Sequence, residues 1–565
     1  REAARKEVVK DLDAGGFLVE VEDYTNNVGY SERGNVPIEF YMSEQWFLKM
    51  DEIAKPAIAA LKDGKIKFHP EHWVKTYFHW MENIRDWCIS RQLSWGHRIP
   101  VFTCEKCNNV MVQVEAPESC SKCEHSSLTQ DPDVLDTWSS SWLWPFAVHS
   151  WPEDSKELSY YYPSNVLVTG PDIIFFWVAR MIIAGYEFLD EIPFTDVYFT
   201  SILRDNTGKK FSKSLGNSPD PFDLFDKYGT DAVRFGIMLM APQGLDVLFS
   251  ETRLEVGRNF MNKLWNASRF VLMNLPDDWE ADSEIDYQSL ALPERWILSR
   301  MNHAIADVDR QLKRFHFNEA AKVIYDFTWS DFCDWYIEIA KTRFYGNDET
   351  AAQMARNVAV HVLKKILALL HPYSPFITEE LWSTFKDDAD SDLIVSSWPT
   401  FNEKQVDDAG EKSMELLKDI ITSIRTIRSR MNVPPSRKAQ IVVRCDDKGA
   451  EFIDHYFSII SSLAGLDSFT AGSDLEKPSH AATAVVGSYE IFIPLEGLID
   501  LDVERNRLDT RFAELQKHIL GVENKLGNAN FVDRAPETVV NREREKLGEM
   551  KNELKKVETN LGLLL

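Results

Sequence analysis

Long apolar runs are missing from this chain, and with them any helix able to span a bilayer: the longest run, IIFFWVA at 173–179, falls far short of the ~20 residues such a helix needs. No secretory signal pattern opens it. The first residue is Arg1 rather than Met, so the natural start is expected upstream. Cysteine is scarce, seven in 565 residues, too few for a disulfide framework. Four fall in two C-x-x-C pairs, while Cys88, Cys333 and Cys445 stand alone; that is the usage of a reducing cytoplasm with one metal site. Basic residues are outnumbered, 63 against 89 acidic, for a net charge of −26. A sum of that sign, taken alone, argues against nucleic acid as a partner. Both common phosphate-binding motifs, G-x-x-x-x-G-K-[ST] and G-x-G-x-x-G, are absent.

What is present is enough chain for three to five domains, with the 44% hydrophobic and 27% charged content of a globular protein. The charge is unevenly spread, and its distribution matters more than its sum. Between residues 420 and 445 lie six basic side chains, Arg425, Arg428, Arg430, Arg437, Lys438 and Arg444, and no acidic one. The last 65 residues balance twelve basic against twelve acidic groups.

From 44 to about 250, aromatic-rich helices alternate with β-branched runs such as VLVTG at 166–170 and VYFTSIL at 197–203, which predicts an α/β domain with a parallel sheet. From about 290 to 435 the pattern is helical: Trp296, Met301, Ile305, Val308 and Leu312 recur at spacings of three to five. Residues 439–500 return to mixed α/β, with AQIVVRC, ATAVVG and EIFIPL as strands. At the end, Leu508, Phe512, Leu515, Ile519, Val522 and Leu526 keep a 4-3-4-3-4 spacing. Leu547, Met550, Leu554, Val557, Leu561 and Leu564 keep the complementary one beyond a Gly/Asn/Pro-containing loop. The pair predicts an antiparallel coiled-coil hairpin.

The strongest chemical signal is DNTGKKFSKSLGNSPDP at 205–221, where Gly208 and Gly216 bracket Lys209, Lys210, Lys213 and two serines. Permissive glycines with clustered ammonium groups suit a polyphosphate whose charge grows as pyrophosphate leaves; a solvated basic loop is the plainer reading of the same string. Cys104-x2-Cys107 and Cys120-x2-Cys123, twelve residues apart, suit tetrahedral zinc in a small ribbon or knuckle; reduced thiols with no metal are the plainer reading. Four thiolates leave no open coordination position, so the metal would be structural. His125 just beyond them is not needed as a ligand. Cys88 reads as filler, and His69 and His72 in HPEH as a surface turn.

KFSKS at 210–214 resembles the KMSKS signature of class I aminoacyl-tRNA synthetases, with Phe211 in place of Met. RDWCISRQLSWGHRIPVF at 85–102, DPDVLDTWSSSWLWPFA at 131–147, YYPSNVLVTGPDIIFFWVARMI at 161–182 and APQGLDVLFSETRLEVGRNFMNKLWNASRF at 241–270 look like the valyl branch of that family, in order. The likeness continues through SDFCDWYIEIAK at 330–341, LHPYSPFITEELW at 370–382 and the terminal hairpin. It implies a multidomain α/β plus all-α fold with the second half of a Rossmann-like catalytic domain. The segments would be the end of an editing insertion (1–43), catalytic domain (44–200) with a zinc insertion at 103–130, signature loop and connecting helices (201–285), helical anticodon-binding domain (286–438), small α/β domain (439–500) and coiled-coil arm (501–565).

The resemblance also implies roles. Lys210 and Lys213 would stabilise the transition state of amino-acid activation, with Ser212 and Ser214 shaping the loop. Gly170 would admit the nucleotide, Asp172 would bind ribose hydroxyls, and Trp138, Ile173 and Trp177 would wall the valine pocket. Either Trp alone reads as core, since buried aromatics dominate cores. Ser94 replaces the usual Trp. The implied substrates are valine, ATP with Mg2+ and tRNA(Val), for a cytoplasmic monomer with structural zinc and no membrane partner. Arg425, Arg428, Arg430, Arg437 and Lys438, with Arg505, Arg511, Arg542 and Lys546 on the arm, would meet tRNA phosphates.

None of the thirteen histidines sits in the family's second signature, His-Ile-Gly-His, so the first half of the nucleotide site and most of the editing site are expected to be missing. Two other readings remain: a non-enzymatic tRNA-binding module, and an isoleucyl or leucyl synthetase. For the hairpin alone, dimerisation is a further one.

Overall fold

Aspartate side chains open several of the long helices. Asp348, Asp407, Asp446 and Asp500 each accept hydrogen bonds from N–H groups two or three residues on, filling donors that a first helical turn leaves without partners. The computed structural model of the chain describes residues 2–31, 34–212, 215–276, 279, 285–386, 391–528, 531 and 536–563. It divides into two units: residues 1–66, 75–164 and 173–195, and residues 67–74, 165–172 and 196–565.

In the first unit, helix Ala54–Lys62 packs on helix Ala179–Leu189. Ala54, Ala57 and Ala60 lie buried with Met181, Ile182 and Ile183, and the small residues on one side let the two axes approach. A π-helical turn, Ile174–Val178, leads into the second helix. The C-x-x-C pairs sit on a three-stranded antiparallel ribbon, Val101–Cys104 between Val110–Val112 and Leu128–Gln130. This is the ribbon that their spacing predicts.

The second unit opens on a three-stranded sheet in the order Lys67–His69, Phe194–Phe199, Ser164–Thr169, the first two parallel. HPEH is therefore not a plain surface turn. His69 ends a strand, half-buried, with its Nε2 2.7 Å from Asp196 Oδ1 on the next strand. Helix Glu251–Met273 crosses Thr230–Met240 so closely that a Cβ on Gly257 would stand 2.2 Å from the Ala232 carbonyl oxygen. Only glycine fits that crossing.

Helices Leu292–Leu312, Phe317–Asp326, Glu349–Leu370, Pro375–Phe385 and Asp408–Arg430 make up most of the expected helical region. Trp296, Met301, Ile305 and Val308 are buried in its core, as their spacing requires. Next comes a four-stranded sheet ordered Leu466–Gly472, Ala439–Arg444, Tyr489–Pro494, Ala481–Val486. Its first two strands are parallel, joined across helix Asp447–Ala464. Helices Leu501–Leu526 and Glu537–Leu563 then pair as the hairpin. Leu508, Leu515, Ile519 and Val557 are buried along its seam, while Leu564 lies outside the described residues. Among the described residues no helix is long and apolar enough to cross a membrane.

Candidate active site and thiolate cluster

In open α/β sheets ligands bind beyond the carboxyl ends of the strands, and the signature loop lies there. Strand Ser164–Thr169 runs out into Gly170 and Asp172. A Cβ on Gly170 would fall 2.7 Å from Asp172 Oδ1, so the glycine lets that carboxylate fold back over the chain. Lys210 reaches it, Nζ to Oδ2 at 2.8 Å. Both side chains are more than half exposed, so water screens the pair and it holds little energy. An incoming polyhydroxyl or phosphate group can take either partner.

The loop around Lys210 is built on two residues that its motif does not name. Asp205 Oδ1 accepts hydrogen bonds from the Thr207 and Lys209 amides, each at 2.9 Å, and from the Thr207 hydroxyl at 2.7 Å. Asp205 Oδ2 accepts from Asn217 Nδ2 at 2.8 Å. Asn217 and Thr207 hold the Asp205 carboxyl well below the usual carboxylate range, so it stays charged and keeps the turn closed. Asn217 Oδ1 in turn accepts from the Ser212 amide at 2.9 Å. The signal was in the sequence, since D-N-T-G and G-N are turn pairs whose side chains bond their own backbone. Phe211, the departure from Met, packs edge-on against Phe249 at 5.7 Å. A cavity of about 510 Å³ opens beside it, lined by Asp205, Phe211, Asn217 and Phe249. Lys213 and Ser214 lie outside the described residues.

In the other unit, Trp138 stacks on Phe176 with ring centroids 5.9 Å apart, and the Trp177 indole donates to the Ser141 carbonyl at 3.0 Å. The fold thus brings these two tryptophans around one short helix, Trp138–Ser141. Ile173 is half-buried just before the π-helical turn, and Ser94 is exposed. Motif reading missed a cavity of about 490 Å³ lined by residues including Met50, Trp80, Trp87, Phe175 and Arg180. The buried Arg180 guanidinium lies 3.7 Å over the Trp87 ring and 3.6 Å from Asp136. Burial lowers its pKa to about 10.

The four thiols converge. All ligand atoms of Cys104, Cys107, Cys120 and Cys123 lie within 4.8 Å of one another. Cys104 stands 3.6 Å from Cys123, and Cys107 stands 3.6 Å from Cys120. Four sulfurs around one zinc at ~2.3 Å would stand ~3.8 Å apart, so the cluster is compatible with that ion. The Lys122 amide leads the groups that lower the Cys120 thiol to about 6. Cys88 is half-buried and apart from them.

The basic residues divide by task. Arg425, Arg430, Arg437 and Lys438 are exposed. Arg425 also donates to the Leu463 carbonyl at 2.7 Å, and Arg437 to that of Gly497 at 3.0 Å. Arg428 is buried, its guanidinium bonded to the carbonyls of Gly465, Pro434 and Arg437. There it ties the helical region to the small sheet rather than facing solvent. On the hairpin Arg511 pairs with Glu553 at 2.7 Å, while Arg542 and Lys546 are exposed and Arg505 half-buried.

Family models and relatives match the chain along most of its length. A model described as tRNA synthetases class I (I, L, M and V) matches residues 5–250. The anticodon-binding domain of tRNA ligase matches 294–443, and the valyl tRNA synthetase tRNA binding arm matches 500–564. The valine–tRNA ligase of Clostridium acetobutylicum is 45% identical over 568 residues, 100% of this chain and 64% of its own. That of Clostridium tetani is 47% identical over 97% of this chain and 62% of its own. The chain therefore spans a little over three-fifths of the length of these relatives. Among solved structures, Mycobacterium tuberculosis methionyl-tRNA synthetase in complex with methionyl-adenylate aligns at a TM-score of 0.49 and 20% identity, over 63% of this chain and 66% of that one. The chain thus carries, in order, a class I tRNA synthetase catalytic region, a tRNA-ligase anticodon-binding domain and an arm like that of the valyl enzymes.

Proposed function

We propose that the chain supplies the signature-lysine half of a valine-activating site, together with the tRNA-binding parts of a valine–tRNA ligase. The observation that carries this reading is 43–47% identity to valine–tRNA ligases along 95–100% of the chain. In the reaction the valine carboxylate attacks the α-phosphorus of Mg2+-bound ATP. The bond to the β-phosphate oxygen breaks, and pyrophosphate leaves. Lys210 and Lys213 offset the charge gathering on the leaving group, and Asp172, released from Lys210, accepts hydrogen bonds from the ribose. A hydroxyl of the terminal tRNA ribose then attacks the valyl carbonyl and expels AMP. Catalysis is positioning and charge stabilisation, with no covalent enzyme intermediate.

The segments divide as the sequence implies: 1–43, 44–200 with the insertion at 103–130, 201–285, 286–438, 439–500 and 501–565. Trp138, Ile173 and Trp177 shape the valine pocket, and Ser212 and Ser214 the loop. Cys104, Cys107, Cys120 and Cys123 hold zinc that ties the ribbon's turns together. The tRNA backbone runs over Arg425, Arg430, Arg437 and Lys438 and along Arg505, Arg542 and Lys546. The protein works in the cytoplasm as a monomer. Valine-dependent ATP–pyrophosphate exchange tests the reading, on the chain alone and on the chain mixed with the part of the Clostridium acetobutylicum ligase that lies outside the match. Exchange is expected only in the mixture. Exchange by the chain alone overturns the divided site, and none in either leaves a tRNA-binding module.

A further inference from the structure

Phe315, in the turn between helices Leu292–Leu312 and Phe317–Asp326, has φ +58°. Bulky L-residues avoid that left-handed region, and such a conformation persists only where its surroundings over-determine it. They do here. The ring stacks on His69 at 4.2 Å and lies nearly parallel to Tyr198 at 6.1 Å. His69 is bonded to Asp196 on the neighbouring strand. Tyr198 also meets Phe317 edge-on at 4.9 Å. The strand that carries Tyr198 ends at Phe199, and Leu203–Arg204 then feeds the signature loop.

A second line runs from the same turn to the same loop. Gln243 Nε2 donates to the Arg314 carbonyl at 3.3 Å and to that of Phe315 at 3.5 Å. Next to it, a Cβ on Gly244 would stand 2.5 Å from the Pro70 ring, so the segment has no slack. Beyond, Asp246 Oδ2 lies 2.5 Å from the Arg204 guanidinium, and the Val247 amide donates to the Ile202 carbonyl at 3.0 Å. Arg204 then donates to the Gly208 carbonyl at 3.2 Å, inside the loop.

We infer that Phe315 and Gln243 are positioning residues: the 313–317 turn sets the base of the signature loop, and through it the place of Lys210. The kinetic consequence rests on the activation chemistry proposed above, whereas the structural consequence does not.

The test is hydrogen exchange on this chain, comparing Gln243→Ala, Phe315→Gly and Phe315→Tyr with the unsubstituted protein. Glycine suits the backbone angle but removes the ring, and tyrosine keeps the ring. The first two substitutions are expected to speed exchange of the 203–212 amides roughly fivefold, the scale of one lost hydrogen bond. Exchange across 439–494 and the melting temperature should hold, and Phe315→Tyr should behave as unsubstituted. In the supplemented exchange assay, Gln243→Ala should lower kcat with the KM for valine unchanged. If the unsubstituted mixture is inactive, the functional reading has failed and amide exchange still decides this one. Loop amides unmoved by both substitutions overturn it, and so does faster exchange everywhere with a falling melting temperature.

Discussion

In the proposed reading Lys210 acts through reach rather than burial: its side chain is more than half exposed, with Asp172 at 2.8 Å. Removing it should therefore cost rate and not stability. Lys210→Ala is expected to lower the supplemented exchange rate about 100-fold or more, the scale of one lost transition-state contact, with the melting temperature unchanged. Glu294 is the opposite kind of residue. It is fully buried, with Arg343 at 2.8 Å, and burial raises its pKa from 4.5 to about 7 against the pull of Arg343. The folded protein thus binds this proton more tightly than the unfolded chain. Stability from this group is present below pH 4.5 and lost as pH rises to about 7, by on the order of 3 kcal/mol. Glu294→Gln should remove that slope. A melting-temperature difference from the parent that grows in the variant's favour between those values is the expected result; a difference constant with pH contradicts it. Sequence reading named residues inside a motif and passed over those that support it. Asp205 and Asn217 bond backbone from the motif's edges, and Arg428 was indistinguishable from its solvent-facing neighbours, because a charge run does not say which side of a helix is covered.

Whole elements were legible where one periodicity governed them. The hairpin seam and the helical region follow from spacing alone, because each buries one stripe. Three strands of the small sheet, within AQIVVRC, ATAVVG and EIFIPL, were equally plain. The fourth, Leu466–Gly472, was not, since LDSFTAG buries fully only its first residue and an edge strand leaves little apolar alternation to read. HPEH misled for a related reason: Pro70 marks a turn, yet the residues just before it complete a parallel strand. At this scale the thiolate ribbon makes the clearest prediction. Its three strands are only three or four residues long, so their geometry should depend on the ion. Metal analysis should give one zinc per chain. Of the seven cysteines, the four of the cluster should react with a thiol reagent only after chelation, with loss of amide protection confined to about 101–130. Four reactive cluster thiols and no metal in the protein as purified would contradict the assignment.

For the molecule as a whole, fold and family could be read because long motifs fall in order along almost the entire chain. The packing of Trp138, Trp177 and Phe176 could not, because they come together through a π-helical turn that no short pattern announces. The central claim is that this chain completes, rather than contains, a site for activating valine. Its most direct test is the amino-acid selectivity of ATP–pyrophosphate exchange in the chain mixed with the unmatched part of a relative. Valine should be preferred over isoleucine, with threonine disfavoured by only about 100-fold, as expected of an apolar pocket facing an added hydroxyl, and with no exchange before mixing. Preference for isoleucine or leucine, or full activity in the unmixed chain, would contradict the account.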